Sequence, residues 1–354
     1  MKVPRKANHD ITTVNARSIG IDVHKDKFVA CFAEVRKEHT TCHGSEEQIN
    51  YQFLTVRGNF DERQDLIQWI QERKPDVIIM ESPSYLGAIN AFNAYQPKFV
   101  EIPTDENGMI MEELDKVLAT TENVKFIYVI PDFQNPSGRT WPLERRKKFM
   151  EIINKYGIPT IEDNPYGELR FKGEYQPALK SMDTEGLIIY MGTFSKIMAP
   201  GYRIGWTCAN EEIIEKLNLI AQAAALQTST IAPMIIAKYM DMFDLDKHVD
   251  KIRETYKHRC ELMINTMRET FPPEAKFTDP DGGLFTWVEL PDYVNTRDLA
   301  AIALENNVAF VPGSGFFPNG GNNCCMRLNY SCMPDDRIVE GVHRLAEVIK
   351  AALK

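Results

Sequence analysis

One stretch near the middle of the chain joins a predicted buried strand to side chains that could bind an aldehyde carrying a phosphate group. Residues 187–192 are apolar and β-branched, which predicts a buried strand, and Ser195 and Lys196 follow at its carboxyl end. Arg203 comes seven residues after the lysine, in Pro-Gly-Tyr-Arg-Ile-Gly. A lysine amine can form a Schiff base with an aldehyde, while a hydroxyl and a guanidinium can donate to a phosphate. Alone, the pattern also fits a solvated surface lysine.

Two upstream segments repeat this order of a buried strand followed by polar residues. Residues 125–130 form an apolar run before the turn-rich loop 131–138, where the Asn135 amide could donate to a phenolate oxygen. Residues 158–162 form another run, followed by Asp163 and Tyr166. An aspartate in apolar surroundings needs a cationic partner to stay ionised, such as a protonated pyridine nitrogen. Singly these residues also fit a turn, a helix N-cap and the core, but their joint order favours one shared site.

These motifs resemble those of fold-type-I pyridoxal 5′-phosphate (PLP) enzymes of the class I/II aminotransferase family, in the branch of aminoadipate, aromatic and branched-chain aminotransferases. The resemblance runs from about Glu81 to the C-terminus, roughly three quarters of the chain. It implies an α/β fold, with a PLP-binding large domain on a mostly parallel sheet flanked by helices and a small α+β C-terminal domain. It also implies transamination between an amino acid and a 2-oxo acid.

The resemblance assigns the catalytic chemistry to Lys196, Asp163 and Tyr166, and cofactor binding to Asn135 as well. Lys196 forms the internal aldimine with PLP and later moves the substrate Cα proton to the cofactor. Asp163 pairs with the pyridinium nitrogen and strengthens the electron sink. Asn135 and Tyr166 hydrogen-bond the phenolate oxygen of the ring.

The same resemblance assigns the charged ends of cofactor and substrate. Ser195 and Arg203 bind the phosphate. Arg327, in Met-Arg-Leu-Asn-Tyr, corresponds to the arginine that holds the substrate α-carboxylate, and Asn135 lies on the same substrate side. Outside this context Arg327 would fit a surface charge on an edge strand. No metal ion is implied.

Residues 1–82 follow a different pattern and contain no Gly-Ser-Gln loop of the kind that cups the phosphate in this family. Strands are predicted at 18–26, 27–35, 51–56 and 76–81, and a helix at 63–73. With Asp22 in mid-strand and Glu81 at a strand end, the order resembles the ribonuclease-H-like start of DEDD-type insertion-sequence transposases. That resemblance makes Asp22 and Glu81 two of four metal-binding carboxylates, and the second pair has no counterpart here.

The chain is therefore predicted to be a fusion of two truncated families, joined near residues 77–85. We expect a partial ribonuclease-H-like α/β segment at 1–82, an N-terminally truncated PLP-binding large domain at 83–244 and a small domain at 245–354. In this family each active site is completed by the partner subunit of a homodimer. Loss of the N-terminal elements is expected to weaken both cofactor binding and that homodimer.

Helices are predicted downstream at 211–225, 230–242, 245–270 and 335–353, and a strand is predicted to start at 281–287. Seven cysteines, an odd number without Cys-x-x-Cys spacing, indicate reduced thiols in a cytoplasmic protein. Cys324 and Cys325, neighbours on a predicted strand, are expected to face opposite sides. No apolar run is long enough for a signal peptide or a membrane span.

The net charge of the chain argues against a nucleic-acid partner. The net charge is −9, and residues 1–82 carry 12 basic against 13 acidic side chains, so the basic footprint of a nucleic-acid-binding protein is missing. A PLP-dependent aminotransferase is favoured by the ordered site residues. Two alternatives stay open: an inactive fusion or transposase remnant without DNA-cleaving activity, and a PLP-binding regulator. Residues 1–82 are predicted as strands rather than as a helical DNA reader. The amino donor and acceptor are left open.

Overall fold

The structure is a computed structural model that describes residues 17–24, 27–37, 47–57 and 76–353. The chain divides into two compact units, Met1–Pro75 and Asp76–Lys354.

Three antiparallel strands make up the described part of the first unit. They are β1 (Arg17–His24), β2 (Lys27–Lys37) and β3 (Glu47–Arg57), with β2 in the centre. The strands predicted for this region are therefore present, and β3 is longer than predicted. Asp22 lies in β1 opposite Val29. The predicted helix at 63–73 lies outside the described residues, and the likeness to a transposase stays a prediction.

A seven-stranded sheet forms the centre of the second unit. Its strands are β4 (Val77–Ser82), β5 (Lys98–Asp105), β6 (Gly108–Met109), β7 (Val124–Val129), β8 (Thr160–Asp163), β9 (Ile188–Thr193) and β10 (Gly205–Cys208). The order is β10-β9-β8-β7-β4-β5-β6, in which β6 and β10 are antiparallel edges and the other five strands are parallel. Parallel strands are covered on both faces, which is why β4 and β7 are nearly continuous apolar runs.

Helices flank this sheet. They are α1 (Leu86–Asn93), α2 (Met111–Thr120), α3 (Leu143–Tyr156), α4 (Glu211–Ala225) and α5 (Ile231–Met242). α3 ends at Gly157, whose φ of 66° is a left-handed conformation that glycine adopts without strain. Trp141 and Phe149 are fully buried and pack with Ile79 and Ile127 of the sheet, so one apolar cluster joins α3 to β4 and β7.

The C-terminal part begins with the long helix α6 (Leu245–Thr270) and contains a second, antiparallel sheet. Its remaining elements are β11 (Lys276–Phe277), β12 (Phe285–Glu289), α7 (Thr296–Glu305), β13 (Val311–Pro312), β14 (Cys325–Asn329) and α8 (Asp335–Ala352). The strand order is β11-β12-β14-β13. Met263 of α6, Val288, Met326 and Leu345 of α8 are buried in one cluster, so α6 and α8 pack on the same face of this sheet.

The architecture confirms the predicted α/β class, a mostly parallel sheet flanked by helices. The helices predicted at 211–225 and 245–270 have those bounds, and the one at 230–242 begins one residue later. The strands predicted at 125–130, 158–162 and 187–192 are displaced by one or two residues. In the described part of the chain, none of the helices has the length and apolar character needed to span a membrane.

Candidate active site

Four parallel strands of the large sheet end at one edge, and polar side chains follow each of them. Tyr85 follows β4, the loop with Asn135 follows β7, Asp163 ends β8 with Tyr166 beyond it, and Lys196 follows β9. Open α/β sheets bind ligands outside the carboxyl ends of their strands. The residues selected from the sequence therefore converge where such a fold places its ligand.

A tight turn after β9 brings Arg203 back to Ser195. The Ser195 amide donates to Thr193 Oγ1 at 3.1 Å, and the Phe194 amide donates to the Ile204 carbonyl at 3.1 Å. Arg203 takes a left-handed φ of 53° at the end of a 3-10 turn, and its Nη1 lies 3.5 Å from Ser195 Oγ. A hydroxyl and a guanidinium are thus presented together, the donor pair that a phosphate needs.

Lys196 is half-buried beside two other cations. Desolvation lowers the pKa of its amine, and the charges of Arg203 and Arg327 lower that pKa further. Among the described residues, no acidic side chain contributes to this shift. An amine with a lowered pKa carries a larger unprotonated fraction at neutral pH, and the unprotonated amine is the nucleophile.

Asp163 places a largely buried carboxyl at the end of β8. The Tyr128 hydroxyl, on the neighbouring strand β7, donates to Asp163 Oδ2 at 2.6 Å. Burial raises the pKa of Asp163, and this hydrogen bond lowers it in part. A cationic partner at this carboxyl would favour the ionised form, so the position fits a protonated ring nitrogen.

Asn135 links the aromatic and the cationic sides of the site. Its Nδ2 donates to the Tyr166 hydroxyl at 3.4 Å, and its Oδ1 accepts from Arg327 Nη1 at 2.8 Å. Burial raises the pKa of Tyr166, so its hydroxyl keeps its proton and can donate to an anionic oxygen.

Arg327, on β14, is held between two aromatic rings. Its guanidinium carbon lies 4.2 Å from the Phe285 ring centroid and 5.2 Å from that of Phe316. Its Nε is buried and has no hydrogen-bond partner. Leaving a buried donor unsatisfied costs about 1–3 kcal/mol, which an incoming carboxylate would offset. The unpaired Nε is therefore available to a carboxylate that enters the site.

This donor set fits PLP and an amino acid. The site gathers three cations, one buried carboxyl and two neutral hydrogen-bonding side chains: Lys196, Arg203, Arg327, Asp163, Asn135 and Tyr166. A phosphate and a carboxylate supply the negative charge that the cations lack. The buried carboxyl complements a pyridinium, and the lysine amine is positioned for an aldehyde.

Sequence reasoning missed two tyrosines of this site. Tyr128 lies inside an apolar strand, where a tyrosine suggests core, although its hydroxyl holds Asp163. Tyr85 lies three residues beyond the end of β4 and packs against the apolar cluster that contains Tyr166 and Phe285. A polar-tipped aromatic just after a predicted strand was the available signal for Tyr85. No comparable signal marks Tyr128.

Two buried carboxyls support the loops around the site. Glu81 accepts from the Ile130 amide at 3.2 Å and from Trp141 Nε1 at 2.9 Å, joining β4 to the segment after β7. Glu162 accepts two backbone amides, at 2.8 and 2.9 Å. Burial raises the pKa of both carboxyls from 4.5 to about 7. Among the described residues, no group of three or more His, Cys, Asp or Glu side chains could hold a metal ion.

These raised pKa values make folding stability depend on pH. From pH 4.5 to about 7 the unfolded chain releases protons that the folded chain retains, so the free energy of unfolding falls with rising pH and then levels off. The share of Glu81 is about 3 kcal/mol. In Glu81→Gln, which keeps one acceptor oxygen, the free energy of unfolding should fall less between about pH 5 and pH 7.5, by roughly the share of Glu81. Denaturant unfolding at the two pH values measures this difference. The exposed Glu144→Gln is the control, and an unchanged fall in Glu81→Gln would contradict the assignment.

Comparisons with known proteins agree with this geometry. The profile of the family described as aminotransferase class I and II matches residues 2–345. Aromatic-amino-acid aminotransferase 1 of Thermococcus litoralis is 43% identical over 294 residues, covering 82% of this chain and 70% of that protein. The 2-aminoadipate transaminase of Thermus thermophilus is 36% identical over 279 residues, covering 78% and 70%.

Solved structures show the same similarity. The kynurenine aminotransferase of Pyrococcus horikoshii, in a complex with PMP, superposes with a TM-score of 0.77 at 39% identity, covering 82% of this chain and 74% of its own. An α-aminoadipate aminotransferase of Thermus thermophilus, complexed with N-(5′-phosphopyridoxyl)-L-leucine, gives 0.76 at 34% identity, covering 82% and 75%. A match over 82% of the chain is more than residues 81–354 can supply. The similarity therefore starts upstream of Glu81. The expectation that it begins at about Glu81 was wrong.

Proposed function

This chain belongs to the family of class I and II aminotransferases, and we propose that its active site is the one assembled around Lys196. The observation that carries the proposal is the half-buried Lys196 amine, whose pKa is lowered by desolvation and by Arg203 and Arg327. An amine in this environment is prepared for attack on an aldehyde. Two homologues that are 43% and 36% identical over most of the chain are aminotransferases, so the enzyme class is PLP-dependent transamination.

Pyridoxal 5′-phosphate is the cofactor. When bound, it delocalises the electron pair left on the substrate Cα after that carbon loses its proton. We assign the phosphate to Ser195 and Arg203, which the turn after β9 brings together. We assign the ring nitrogen to Asp163 and the ring oxygen to Asn135 and Tyr166, because the first is a buried carboxyl and the others are neutral donors.

Lys196 has two roles in this proposal. Its Nζ would hold the cofactor covalently, and it would be a free amine while the amino acid is bound. The free Nζ then acts as the general base that takes the proton from Cα. A general base works best when its pKa is close to the working pH, and the lowered pKa of Lys196 moves it in that direction.

Arg327 positions the substrate. Its guanidinium plane is fixed by Phe285, Phe316 and the hydrogen bond to Asn135. A fixed fork can hold an α-carboxylate by two parallel hydrogen bonds, which places Cα for proton transfer. The substrates that fit are an amino acid donor and a 2-oxo acid acceptor, because both carry a carboxylate next to the reacting carbon.

We propose that the protein forms a homodimer through α4 and α5. These consecutive helices expose large apolar side chains: Leu219 is 58% exposed, Ile220 64%, Ile231 69% and Met234 69%. A concentration of exposed apolar side chains marks an interaction surface rather than a solvated face. Because enzymes of this family form homodimers, we assign a second copy of the chain as the partner at this surface.

The division into 1–82, 83–244 and 245–354 also stands as a proposal. The boundary between the two compact units falls after Pro75, so β4 (Val77–Ser82) belongs to the second unit, and this supports a start of the large domain a few residues before 83. The five described cysteines, Cys208, Cys260, Cys324, Cys325 and Cys332, are free thiols. Free thiols support a reducing, cytoplasmic compartment.

We expect PLP to bind weakly and the dimer to be weak. Residues 1–82 contain no Gly-Ser-Gln loop to donate backbone amides to the phosphate. Each lost charge-assisted hydrogen bond is worth about 1.5–3 kcal/mol. Loss of two such bonds would weaken binding by roughly two to four powers of ten. Titration calorimetry with PLP, paired with light scattering, should show this difference against the Thermococcus litoralis relative. Tight, stoichiometric binding to a stable dimer would contradict it.

A further inference from the structure

Two adjacent cysteines near Arg327 bring their thiols close together. The Sγ atoms of Cys324 and Cys325 lie 3.9 Å apart. The expectation that they face opposite sides was wrong, because β14 begins at Cys325 and the alternation of a strand does not extend to Cys324. Cys325 is buried and Cys324 is partly exposed, at the end of the exposed loop 319–323.

The backbone on both sides of these thiols is held in place. The Cys324 carbonyl accepts from the Leu290 amide at 3.0 Å, and the Cys325 carbonyl accepts from Thr296 Oγ1 at 2.7 Å. Gly313 packs so closely that a Cβ there would lie 2.6 Å from the Cys325 oxygen. The peptide between the two cysteines is therefore fixed by β12, by α7 and by the turn at Gly313.

A direct disulfide suits this geometry poorly. It would draw the sulfurs from 3.9 Å to about 2.0 Å. Adjacent Cα atoms are about 3.8 Å apart, below the roughly 4.4–6.8 Å usual for disulfides. Closure would have to turn a peptide whose carbonyl is held by Leu290.

A single soft atom bonded to both sulfurs suits the geometry of this cysteine pair better than a disulfide does. Tetrahedral thiolate sites have metal–sulfur bonds of about 2.3 Å, which puts two ligand sulfurs about 3.8 Å apart. The observed 3.9 Å is close to that separation, and a pyramidal atom with bonds of similar length and narrower angles needs the sulfurs only about half an ångström closer, much less than a disulfide does. In the described part of the chain no third His, Cys, Asp or Glu ligand completes a metal site. The pair therefore fits a thiophilic atom that needs only two protein sulfurs.

We propose that Cys324 and Cys325 form a bidentate site for trivalent arsenicals that carry one organic substituent. Arsenic forms one bond to each sulfur and keeps its bond to carbon. For an arsine oxide, two S–H bonds and the arsenic–oxygen bond break, and the two protons leave with the oxide oxygen as one water molecule. No electrons are transferred, so the step needs no oxidant. Burial raises the pKa of Cys325, so its thiol is protonated at neutral pH, which disfavours thiolate-driven disulfide exchange.

Occupancy of this site acts on the substrate arginine. Cys325 packs in one buried cluster with Trp287, Phe316 and Phe317, and the Phe316 ring lies 5.2 Å from the Arg327 guanidinium carbon. An arsenic atom at Cys325 would displace Phe316 and loosen the support of Arg327. This consequence rests on the proposed function, whereas the binding site does not.

Mass spectrometry of the holoenzyme treated with phenylarsine oxide tests the site. The tryptic peptide 298–327 contains Cys324 and Cys325 and no other cysteine, and it should carry one phenylarsenic group. Cys324→Ser and Cys325→Ser should each abolish the adduct, because one thiol cannot chelate, while Cys332→Ser should retain it. A small dithiol should remove the adduct, and a monothiol should not. An adduct that survives in either of the first two variants, or an unmodified wild-type peptide, overturns the proposal.

Steady-state kinetics tests whether an arsenical bound at Cys324 and Cys325 affects Arg327. Loading the wild-type enzyme should raise the KM for the amino acid several-fold with little change in kcat, and Cys325→Ser should show no rise. An adduct on peptide 298–327 with an unchanged KM would overturn the coupling to Arg327. A protein that forms the adduct but never transaminates would instead refute the proposed function.

Discussion

Lys196→Ala should abolish transamination at saturating PLP, with kcat at least about 10³-fold below that of the wild-type protein. The substitution removes both the covalent attachment of the cofactor and the base that takes the Cα proton. Stopped-flow absorbance of the reaction with an excess of amino acid measures the loss. A small exogenous amine should restore part of the rate, because it can take the proton in place of the missing Nζ.

Lys148→Ala is the matched control, since Lys148 is an exposed lysine paired with Glu151 on α3. It should keep the wild-type rate. Near-normal turnover in Lys196→Ala would refute the assignment. The inactive-fusion and regulator alternatives instead predict no turnover by the wild-type protein, with PLP bound in the case of the regulator.

Arg327→Ala should reduce kcat/KM for the amino acid by roughly two to four powers of ten. The variant removes a two-pronged, charge-assisted contact worth about 3–6 kcal/mol, and the loss should fall mainly on KM. Arg327→Lys should recover only part of it, because an ammonium keeps the charge but not the planar fork. Steady-state kinetics over a range of amino acid concentrations gives both parameters.

An amine substrate without a carboxylate tests whether Arg327 recognises that group. Wild type and Arg327→Ala should turn over such an amine at similar rates. Arg337→Ala, which removes an exposed arginine paired with Glu340, should behave as wild type. An equal loss for amine and amino acid would show that Arg327 acts by supporting Asn135 rather than by binding the carboxylate.

The part of the candidate site that follows from strand ends could be located from the sequence. Apolar runs located β7, β8 and β9, and polar residues within a few positions of their ends, Asn135, Asp163 and Lys196, lie at the same edge of the sheet. The long helix α6 was also predictable, because its charged and apolar residues alternate with helical periodicity. These features are local in sequence, so they can be read without knowing which elements pack together.

Contacts between distant segments could not be predicted in this way. The Tyr128 hydroxyl reaches Asp163 across a strand pair, and Trp141 reaches Glu81 from sixty residues away. The prediction that Cys324 and Cys325 face opposite sides was wrong because β14 begins at Cys325, so Cys324 lies outside the alternation of the strand. Each of these depends on where a strand begins or on its neighbour in the sheet, and a single sequence leaves both open.

The most direct test of the central claim is to find where the cofactor is attached. The protein incubated with PLP is reduced with borohydride, digested and mapped by mass spectrometry, which fixes the cofactor to the amine that holds it. We predict one pyridoxyl group per chain, on Lys196, and none after the same treatment of Lys196→Ala. Label spread over exposed lysines such as Lys148, or an equal yield from the variant, would contradict the assignment of this site.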